Sequence, residues 1–232
     1  MMETDPKPNT YAMMRRMAEE RKAALRETLA ECLAPERIGG REVLLEIGCG
    51  HGHWLAGYGR AHPETFCAGI DLRTKRIERA NRKVEKQSLE NVVFLKAEAR
   101  EFLETMPACV RFSRVCILFP DPWPKARHHK KRLIQPGFLD ALGGRVSGGG
   151  ELYFRTDHDG YFAWAEAMLN AHSLWAIDLG AGWVHEEWPY FQDFMDAWRS
   201  LVARRRSEDI ENENEDELDR QRESGESVDD AG

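Results

Sequence analysis

The sequence predicts an α/β fold in which a mostly parallel sheet carries helices on both faces. Short apolar runs alternate with segments of helical periodicity over roughly residues 40–170, which is the pattern of parallel strands joined by crossover helices. A cluster of glycines directly follows the first of these runs, and a proline-rich segment directly follows the fourth. Because crossover connections are short and right-handed, we expect a Rossmann-like, doubly wound order of strands.

Each element is predicted from its own pattern. Runs of β-branched and aromatic residues indicate strands, and apolar positions three and four residues apart indicate helices. The predicted strands are residues 41–47, 65–70, 91–95, 115–119 and 151–156, and the predicted helices are residues 11–33, a short one from 54, 74–87, 138–142 and 160–171. The first helix either packs on the domain or contacts a substrate. The remainder to residue 206 is rich in tryptophan and less regular, and its Arg204-Arg205-Arg206 run is either a phosphate contact or the end of a helix.

The chain divides into three parts of different composition. Residues 1–36 form a polar arm and a helix, residues 37–206 form the α/β domain, and residues 207–232 form an acidic tail. The tail carries twelve Asp and Glu against two Arg and lacks aromatic residues, so we expect it to be disordered. The formal charge of the whole chain is -7, but that of residues 1–206 is +3. The folded part is therefore mildly basic, and nucleic acid is not excluded as a partner.

Composition also narrows the class of protein and its compartment. No apolar run approaches the ~20 residues of a membrane helix, and the N-terminus lacks the apolar core of a signal peptide. The five cysteines are scattered without a C-x-x-C pair, which argues against a disulfide framework and against structural zinc. We expect a cytoplasmic protein, a monomer or weak homodimer, with no metal and no membrane contact.

The glycine cluster and three acidic strand ends together predict a cofactor site. The glycines are spaced G-x-G-x-G, and one carboxylate lies two residues before them while two others close the second and third strands. A carboxylate at the end of the second strand can accept hydrogen bonds from a ribose. Three such groups would form a negative rim, which is unfavourable for a pyrophosphate and suits S-adenosylmethionine, since that cofactor has a sulfonium and an ammonium. The residues of this predicted site are Glu46, Gly48, Gly50, Gly52, Asp71 and Glu98.

The proline-rich segment Phe119–Arg132 predicts a rigid loop at the carboxyl end of the fourth strand. Three prolines within five positions stop any regular ladder of hydrogen bonds, and open α/β sheets bind their ligands at this end of the strands. Asp121 supplies a carboxylate, and Trp123 either stacks on a base or anchors the loop. A run of cationic residues follows, and we expect these side chains to neutralise RNA phosphates: Lys125, Arg127, Lys130, Lys131 and Arg132.

Two of these motifs carry a resemblance to a known family. The segment Leu45–Gly52 resembles motif I of class I S-adenosylmethionine-dependent methyltransferases. The segment Phe119–His128 is similar to the signature of the bacterial tRNA (guanine-N7)-methyltransferase family, and Thr156-Asp157 followed by Tyr161 resembles a later motif of that family. The resemblance covers roughly residues 40–170. It implies the class I methyltransferase fold, S-adenosylmethionine as cofactor, and tRNA as substrate, methylated on N7 of guanine 46 in its variable loop.

The resemblance also implies roles for individual residues. Glu46, Asp71, Glu98 and Asp121 would line the cofactor site, Asp121 would be the catalytic residue, and Lys125 and Asp157 would contact the substrate. We expect Trp123, Arg127 and His128 to contact the RNA as well. The chain differs from the family in one motif: where T-x-F-E is expected, it has Pro189-Tyr190-Phe191-Gln192.

The chemistry of the implied reaction qualifies the role of Asp121. Guanine N7 carries a free lone pair, so it needs no general base, and the enzyme mainly has to position the base for in-line attack. An acidic side chain can accept hydrogen bonds from the Watson–Crick edge of guanine, and Asp121 and Asp157 are the candidates. We therefore interpret Asp121 as an orienting carboxylate. Three other functions stay open: methylation of an exocyclic amine of the adenine N6 type, a non-catalytic RNA-binding subunit, and a dehydrogenase.

Overall fold

The computed structural model describes residues 10–185 and 197–207. The N-terminal arm, the segment Pro189–Gln192 and the acidic tail beyond residue 207 lie outside the described residues. The helices are α1 (Thr10–Cys32), α2 (Pro35–Ile38), α3 (His53–Ala61), α4 (Thr74–Gln87), α5 (Ala99–Thr105), α6 (Pro136–Gly143) and α7 (Asp159–Asn170), with a 3₁₀ helix at Ala126–Lys131. The strands are β1 (Glu42–Ile47), β2 (Thr65–Asp71), β3 (Val92–Lys96), β4 (Phe112–Leu118), β5 (Val146–Thr156), β6 (Trp175–Ile177) and β7 (Arg199–Arg205).

The strands form one sheet in the order β3-β2-β1-β4-β5-β7-β6. β1 pairs in parallel with β2 and β4, and β2–β3 and β4–β5 are parallel as well. β7 runs antiparallel to both β5 and β6. The chain leaves β1 in one direction to build β2 and β3 and then returns to its other side to build β4. The predicted Rossmann-like α/β class is confirmed, and the switch point of the topology lies between β1 and β4.

Alternate residues of β1 divide the core into two layers, because successive side chains of a strand point to opposite faces. Val43 and Leu45 pack into the larger layer, which includes residues of α1, α5, α6 and α7. Leu44 packs into the smaller layer, with residues of α3 and α4. Leu25 and Leu29 of α1, and Leu33 directly after it, reach the larger layer, whereas the first turns of the helix are exposed. Among the described residues, no helix is both long and apolar enough to span a membrane.

The sheet contains two strands, β6 and β7, in addition to the five that were predicted. β6 and β7 were not predicted, because β7 depends on its pairing with β5, and β6 on its pairing with β7, more than on their own sequences. The interpretation of Arg204–Arg206 as a helix end is wrong, since Arg204 and Arg205 belong to β7. Arg204 is also an unsuitable phosphate contact, because it forms ion pairs with Glu151 at 2.8 Å and with Asp178 at 2.6 Å.

Candidate active site

A cleft of about 390 Å³ opens at the carboxyl ends of β1 to β4, beside the switch point of the sheet. Its walls come from the glycine loop after β1, the ends of β2 and β3, and the proline loop after β4. The position is the one at which open α/β folds bind their ligands. Side chains and backbone of these residues line it: Gly48, Asp71, Leu72, Arg73, Arg76, Glu98, Leu118, Phe119, Asp121, Trp123, Lys131 and Leu133, among others.

The glycine loop takes a backbone path that requires glycine. Gly48, Gly50 and Gly52 have φ angles of 82°, 56° and 68°, in the left-handed region that other residues rarely adopt. A Cβ atom on Gly52 would lie 2.5 Å from the ring of Phe94. The spacing of these glycines therefore lets the loop turn tightly and lets α3 approach the sheet. Of the three, Gly48 lines the cleft.

Asp71 is the most constrained carboxylate of the cleft. It is buried, and its two oxygens accept hydrogen bonds from the backbone amides of Gly50 at 3.2 Å and Arg73 at 2.8 Å. The guanidinium of Arg76 forms an ion pair with it at 3.2 Å. Asp71 therefore ties the glycine loop to the end of β2 and fixes the shape of the cleft.

Glu98 and Asp121 lie on the other walls. Glu98 caps α5, because its side chain accepts a hydrogen bond from the backbone amide of Glu101 at 3.0 Å. Asp121 is exposed and follows β4 on a loop whose backbone is strained at two non-glycine residues, with φ of 49° at Phe119 and 44° at Trp123. Such angles persist where the surrounding structure holds them, and they occur often at functional sites.

Glu46 is placed differently from the other predicted cofactor residues. It is 4% exposed, and the residues that line the cleft do not include it. Its Oε2 atom is buried and has no hydrogen-bond partner among the described residues. Burial, with a smaller effect from the charge of Asp71, raises the pKa of Glu46 to about 8. The structure thus holds a neutral or easily neutralised carboxyl beneath the glycine loop.

The predicted negative rim is wrong as a description of the whole cleft. Of the predicted residues Glu46, Asp71 and Glu98, the last two meet there with Asp121, but Arg73, Arg76 and Lys131 line the same cleft. Sequence reasoning missed the two arginines, although both follow Asp71 closely in the chain. His51 of the glycine loop adjoins this basic side, and its pKa is lowered by burial and then by the positive charge of Arg79 and Lys83.

The described residues of the site provide neither a nucleophilic cysteine nor a metal site. Burial raises the pKa of the Cys49 thiol in the glycine loop well above its usual range, so this cysteine is not an activated nucleophile. In the described ranges, no group of three His, Cys, Asp or Glu residues is arranged to hold a metal ion.

Trp123 contacts the cationic residues that follow it in the loop. The Lys131 ammonium lies 4.5 Å from the centre of its ring, and the His128 ring meets it edge-on at 5.9 Å. Lys125 and Arg127 are exposed on and beside the 3₁₀ helix, and Arg127 lies within 3.3 Å of His128. Of the predicted substrate residues, Trp123 and Arg127 both lie against His128, and Trp123 lines the cleft, while Lys125 is exposed next to them in the chain.

Arg132 corrects the predicted set of phosphate contacts. It is 3% exposed, and its guanidinium donates to the carbonyl oxygens of Pro122 at 2.9 Å and Gly160 at 3.0 Å. A buried side chain that is occupied by two carbonyl groups cannot neutralise RNA phosphates. The sequence could not show this, because Arg132 ends a run of exposed cations.

The motif at the end of β5 divides between surface and core. Asp157 is exposed and does not line the cleft. Tyr161 is fully buried, and its hydroxyl accepts hydrogen bonds from the backbone amides of Leu133 at 3.0 Å and Ile134 at 3.3 Å. Tyr161 thus supports the loop from beneath, whereas Asp157 is available to a large substrate.

The chain is similar to known methyltransferases. A family model described as "Putative methyltransferase" matches residues 40–191. Proteins named tRNA (guanine-N(7)-)-methyltransferase are similar to the chain: that of Nocardia farcinica is 38% identical over 151 residues, covering 64% of this chain and 56% of its own length. That of Caulobacter vibrioides is 41% identical over 140 residues, covering 60% of each chain. The chain thus spans little more than half the length of these curated relatives.

Solved structures show the same fold at low identity. The aminoglycoside resistance methyltransferase NpmB1 superposes with a TM-score of 0.52 at 20% identity, covering 78% of this chain and 93% of its own. TrmN from Thermus thermophilus has a TM-score of 0.52 at 16% identity, covering 78% of this chain and 48% of its own. Since the family model spans the glycine loop, the acidic strand ends and the proline loop, the chain belongs to the family of putative methyltransferases, within which it resembles the bacterial tRNA (guanine-N7) enzymes.

Proposed function

We propose that this protein transfers the methyl group of S-adenosylmethionine to N7 of a guanine in tRNA, at position 46 of the variable loop. The observation that carries the proposal is the meeting of Asp71, Glu98 and Asp121 in one cleft whose rim bears Trp123 and a cationic loop. A candidate cofactor cleft and an exposed basic segment are thereby adjacent. The relatives' names supply the specific base and atom.

The residues of the cleft fit S-adenosylmethionine. Apolar groups of Leu72, Leu118 and Leu133 line it beside the carboxylates, which suits a purine ring and a ribose. The unpartnered Oε2 atom of Glu46 beneath the glycine loop is an acceptor that a cationic ligand group could satisfy. We infer that Glu46, Gly48, Gly50, Gly52, Asp71, Glu98 and Asp121 hold the cofactor.

When bound, the cofactor supplies an electrophilic methyl group on its sulfonium. The protein's own contribution is to place guanine N7 in line with that group and to exclude competing orientations. Asp121 is exposed at the cleft and can accept from the Watson–Crick edge of the base, while Asp157 stands beyond the cleft for a second contact. No residue is needed to remove a proton before the attack, because N7 carries none.

The rim of the cleft would bind the tRNA. Exposed Lys125 and Arg127 can neutralise phosphates, and His128 lies beside them. Trp123 has a cation against its ring, at 4.5 Å from the Lys131 ammonium, so base stacking would take place on a surface already bearing positive charge. A monomer or weak homodimer in the cytoplasm stays our expectation from the sequence.

Methylation of unmodified tRNA with labelled S-adenosylmethionine, followed by nucleoside identification, tests the proposal. We expect 7-methylguanosine at one variable-loop position. N6-methyladenosine would instead assign an exocyclic amine as the target. If calorimetry detected no S-adenosylmethionine binding, the chain would be an RNA-binding protein that keeps the fold without the reaction.

A further inference from the structure

The loop that carries Asp121 has a strained backbone that must be held in place. Phe119 and Trp123 have φ angles of 49° and 44°, and an L-residue in this region is destabilised by contact between its Cβ and the backbone. The three prolines of the loop remove amide donors from the same stretch. The loop therefore depends on contacts to its carbonyl groups and to the segment that follows it.

Arg132 makes those contacts from inside the protein. Its Nε donates to the carbonyl oxygen of Pro122, one residue after Asp121, and its Nη1 donates to the carbonyl oxygen of Gly160 on α7. The guanidinium also lies 5.0 Å from the ring centre of Tyr161 and 5.4 Å from that of Trp164. One side chain thus joins the active-site loop to α7 through two hydrogen bonds and two aromatic faces.

The returning part of the loop is fixed to the same helix. The hydroxyl of Tyr161 accepts from two consecutive backbone amides of the loop, and the indole of Trp164 donates to the carbonyl oxygen of Ile134 at 2.8 Å. Gln135 closes the 3₁₀ segment by donating to the carbonyl oxygen of His129 at 2.8 Å. Arg132 is the part of this network that reaches the Asp121 side of the loop.

We propose that Arg132 is a positioning residue, which holds Asp121 and Trp123 at the cleft by clamping the proline loop to α7. This inference rests on the proposed function, and it removes Arg132 from the RNA surface on which its neighbours lie. Lysine could not replace it, because a single ammonium cannot present two donors in a flat group that stacks on aromatic rings, and it is more strongly hydrated.

The experiment compares Arg132→Lys with Arg145→Lys. Arg145 is a matched control, since its Nε also donates to a backbone carbonyl, that of Leu103 at 2.9 Å, and burial lowers the pKa of both guanidinium groups. We expect Arg132→Lys to lower kcat by about tenfold to a hundredfold, the size of effect that misplacement by about 1 Å produces. Arg145→Lys should leave kcat within about twofold.

Binding of tRNA separates a clamp from a phosphate contact. Arg132→Lys and Arg132→Ala should leave the salt dependence of tRNA binding unchanged, whereas Lys125→Ala with Arg127→Ala should reduce the slope of log K against log salt by roughly 0.7 to 0.9 per contact. Guanidinium added to Arg132→Ala should restore part of the lost kcat, relative to sodium chloride at equal ionic strength. A reduced salt slope for Arg132→Ala, or a kcat equal to that of the wild type, would overturn the proposal.

Limited trypsin digestion tests the clamp without any activity. Lys125, Arg127, Lys130 and Lys131 are exposed in the loop, so release of the loop should accelerate cleavage there in Arg132→Lys and not in Arg145→Lys. Equal cleavage rates in the two variants would contradict the clamp. If the wild type makes no 7-methylguanosine, the proposed function fails, and the digestion still decides whether Arg132 holds the loop.

Discussion

The parallel strands of the sheet begin at one side, the amino edge, and end at the other, the carboxyl edge. The two edges have similar residue compositions, but only the carboxyl edge has the features of an active site. At the carboxyl edge, a cleft of about 390 Å³ is lined by arginines, carboxylates and part of a glycine-rich loop. At the amino edge, a cavity of about 620 Å³ is lined by four arginines, two glutamates and the Gly148–Gly150 segment. Cavity size and residue types therefore do not separate them.

The charges of the amino edge are used within the protein. Arg114 forms an ion pair with Glu42 at 3.1 Å, and Arg204 pairs with Glu151. Arg41 donates to the carbonyl oxygens at the end of α2, at 2.7 Å from that of Ile38. These contacts satisfy the polar groups and leave little for a ligand to bind.

The carboxyl edge has a polar group without a hydrogen-bond partner in the described residues, an exposed carboxylate and a strained backbone. Glu46 has a buried oxygen without a partner in the described chain, and Asp121 is exposed on a backbone with two left-handed residues. The comparison teaches that a site is marked by unsatisfied groups and by strain that other residues maintain.

The largest expected difference between the edges is catalytic. Asp121→Ala should lower turnover by at least about a hundredfold, because an orienting group at the reacting base is lost. Its melting temperature should stay close to that of the wild type, since the side chain is exposed. Glu151→Gln at the amino edge should leave turnover within about twofold. Labelled methyl transfer to tRNA measures both, and full turnover by Asp121→Ala would remove this residue from the mechanism.

The two glutamates of β1, Glu42 at the amino edge and Glu46 at the carboxyl edge, should differ in how they make protein stability depend on pH. Burial raises the pKa of Glu46 at the carboxyl end to about 8, from an ordinary value of 4.5. A raised pKa means that the protonated carboxyl is favoured by folding, so this stabilisation is complete below about pH 4.5 and is lost as the pH rises towards 8. One pKa unit is worth about 1.4 kcal/mol, and the total effect can reach a few kcal/mol.

Glu46→Gln should therefore flatten the decline of unfolding free energy between pH 5 and 8. Urea denaturation across that range measures the free energy of unfolding, and the readout is its slope against pH. If the amide of glutamine destabilises the protein, it does so equally at every pH and leaves this slope unchanged. Glu42→Gln is the control at the amino end of the same strand, because Glu42 is 60% exposed in its pair with Arg114 and such pairs contribute little. Parallel curves for the wild type and Glu46→Gln would show that Glu46 does not titrate in this range.

The sequence predicted the parts of the fold and the site that depend on local chemistry. The glycine spacing, the prolines and the apolar runs placed the two loops at the carboxyl ends of neighbouring strands. Two of the three predicted acidic strand ends, Asp71 and Glu98, meet in one cleft with Asp121, whereas Glu46 lies outside its lining. The short helix α5 and the strands β6 and β7 were missed, since short segments carry little periodicity and edge pairing is decided by tertiary contacts.

Two side chains show why the rest of the site was beyond the sequence. Arg132 and Lys131 are adjacent cations with the same local context, yet one is buried against α7 and the other is exposed over Trp123. Their difference depends on residues about thirty positions away, Gly160 and Tyr161. Arg76 was missed for a related reason, because its pairing with Asp71 requires the turn between β2 and α4.

The smallest expected difference concerns one glycine at each edge. Gly52 and Gly149 both have left-handed backbones, with φ of 68° and 76°. A Cβ on Gly52 would lie 2.5 Å from the ring of Phe94 and 2.8 Å from the Cβ of Ala80, whereas a Cβ on Gly149 meets no described atom within 4 Å. Gly52→Ala should destabilise the protein by about 2–4 kcal/mol through overpacking and strain.

Gly149→Ala should lose only the cost of the left-handed conformation, about 1 kcal/mol. Urea unfolding gives both values, and S-adenosylmethionine affinity should fall for Gly52→Ala alone, because Gly52 ends the loop that Asp71 fixes through Gly50. Equal losses of stability in the two variants would mean that the contact with Phe94 relaxes without cost. Equal losses of affinity for S-adenosylmethionine would mean that the amino edge is coupled to the cofactor cleft through the sheet. We do not expect this, because the side-chain contacts described at each edge join residues of that edge.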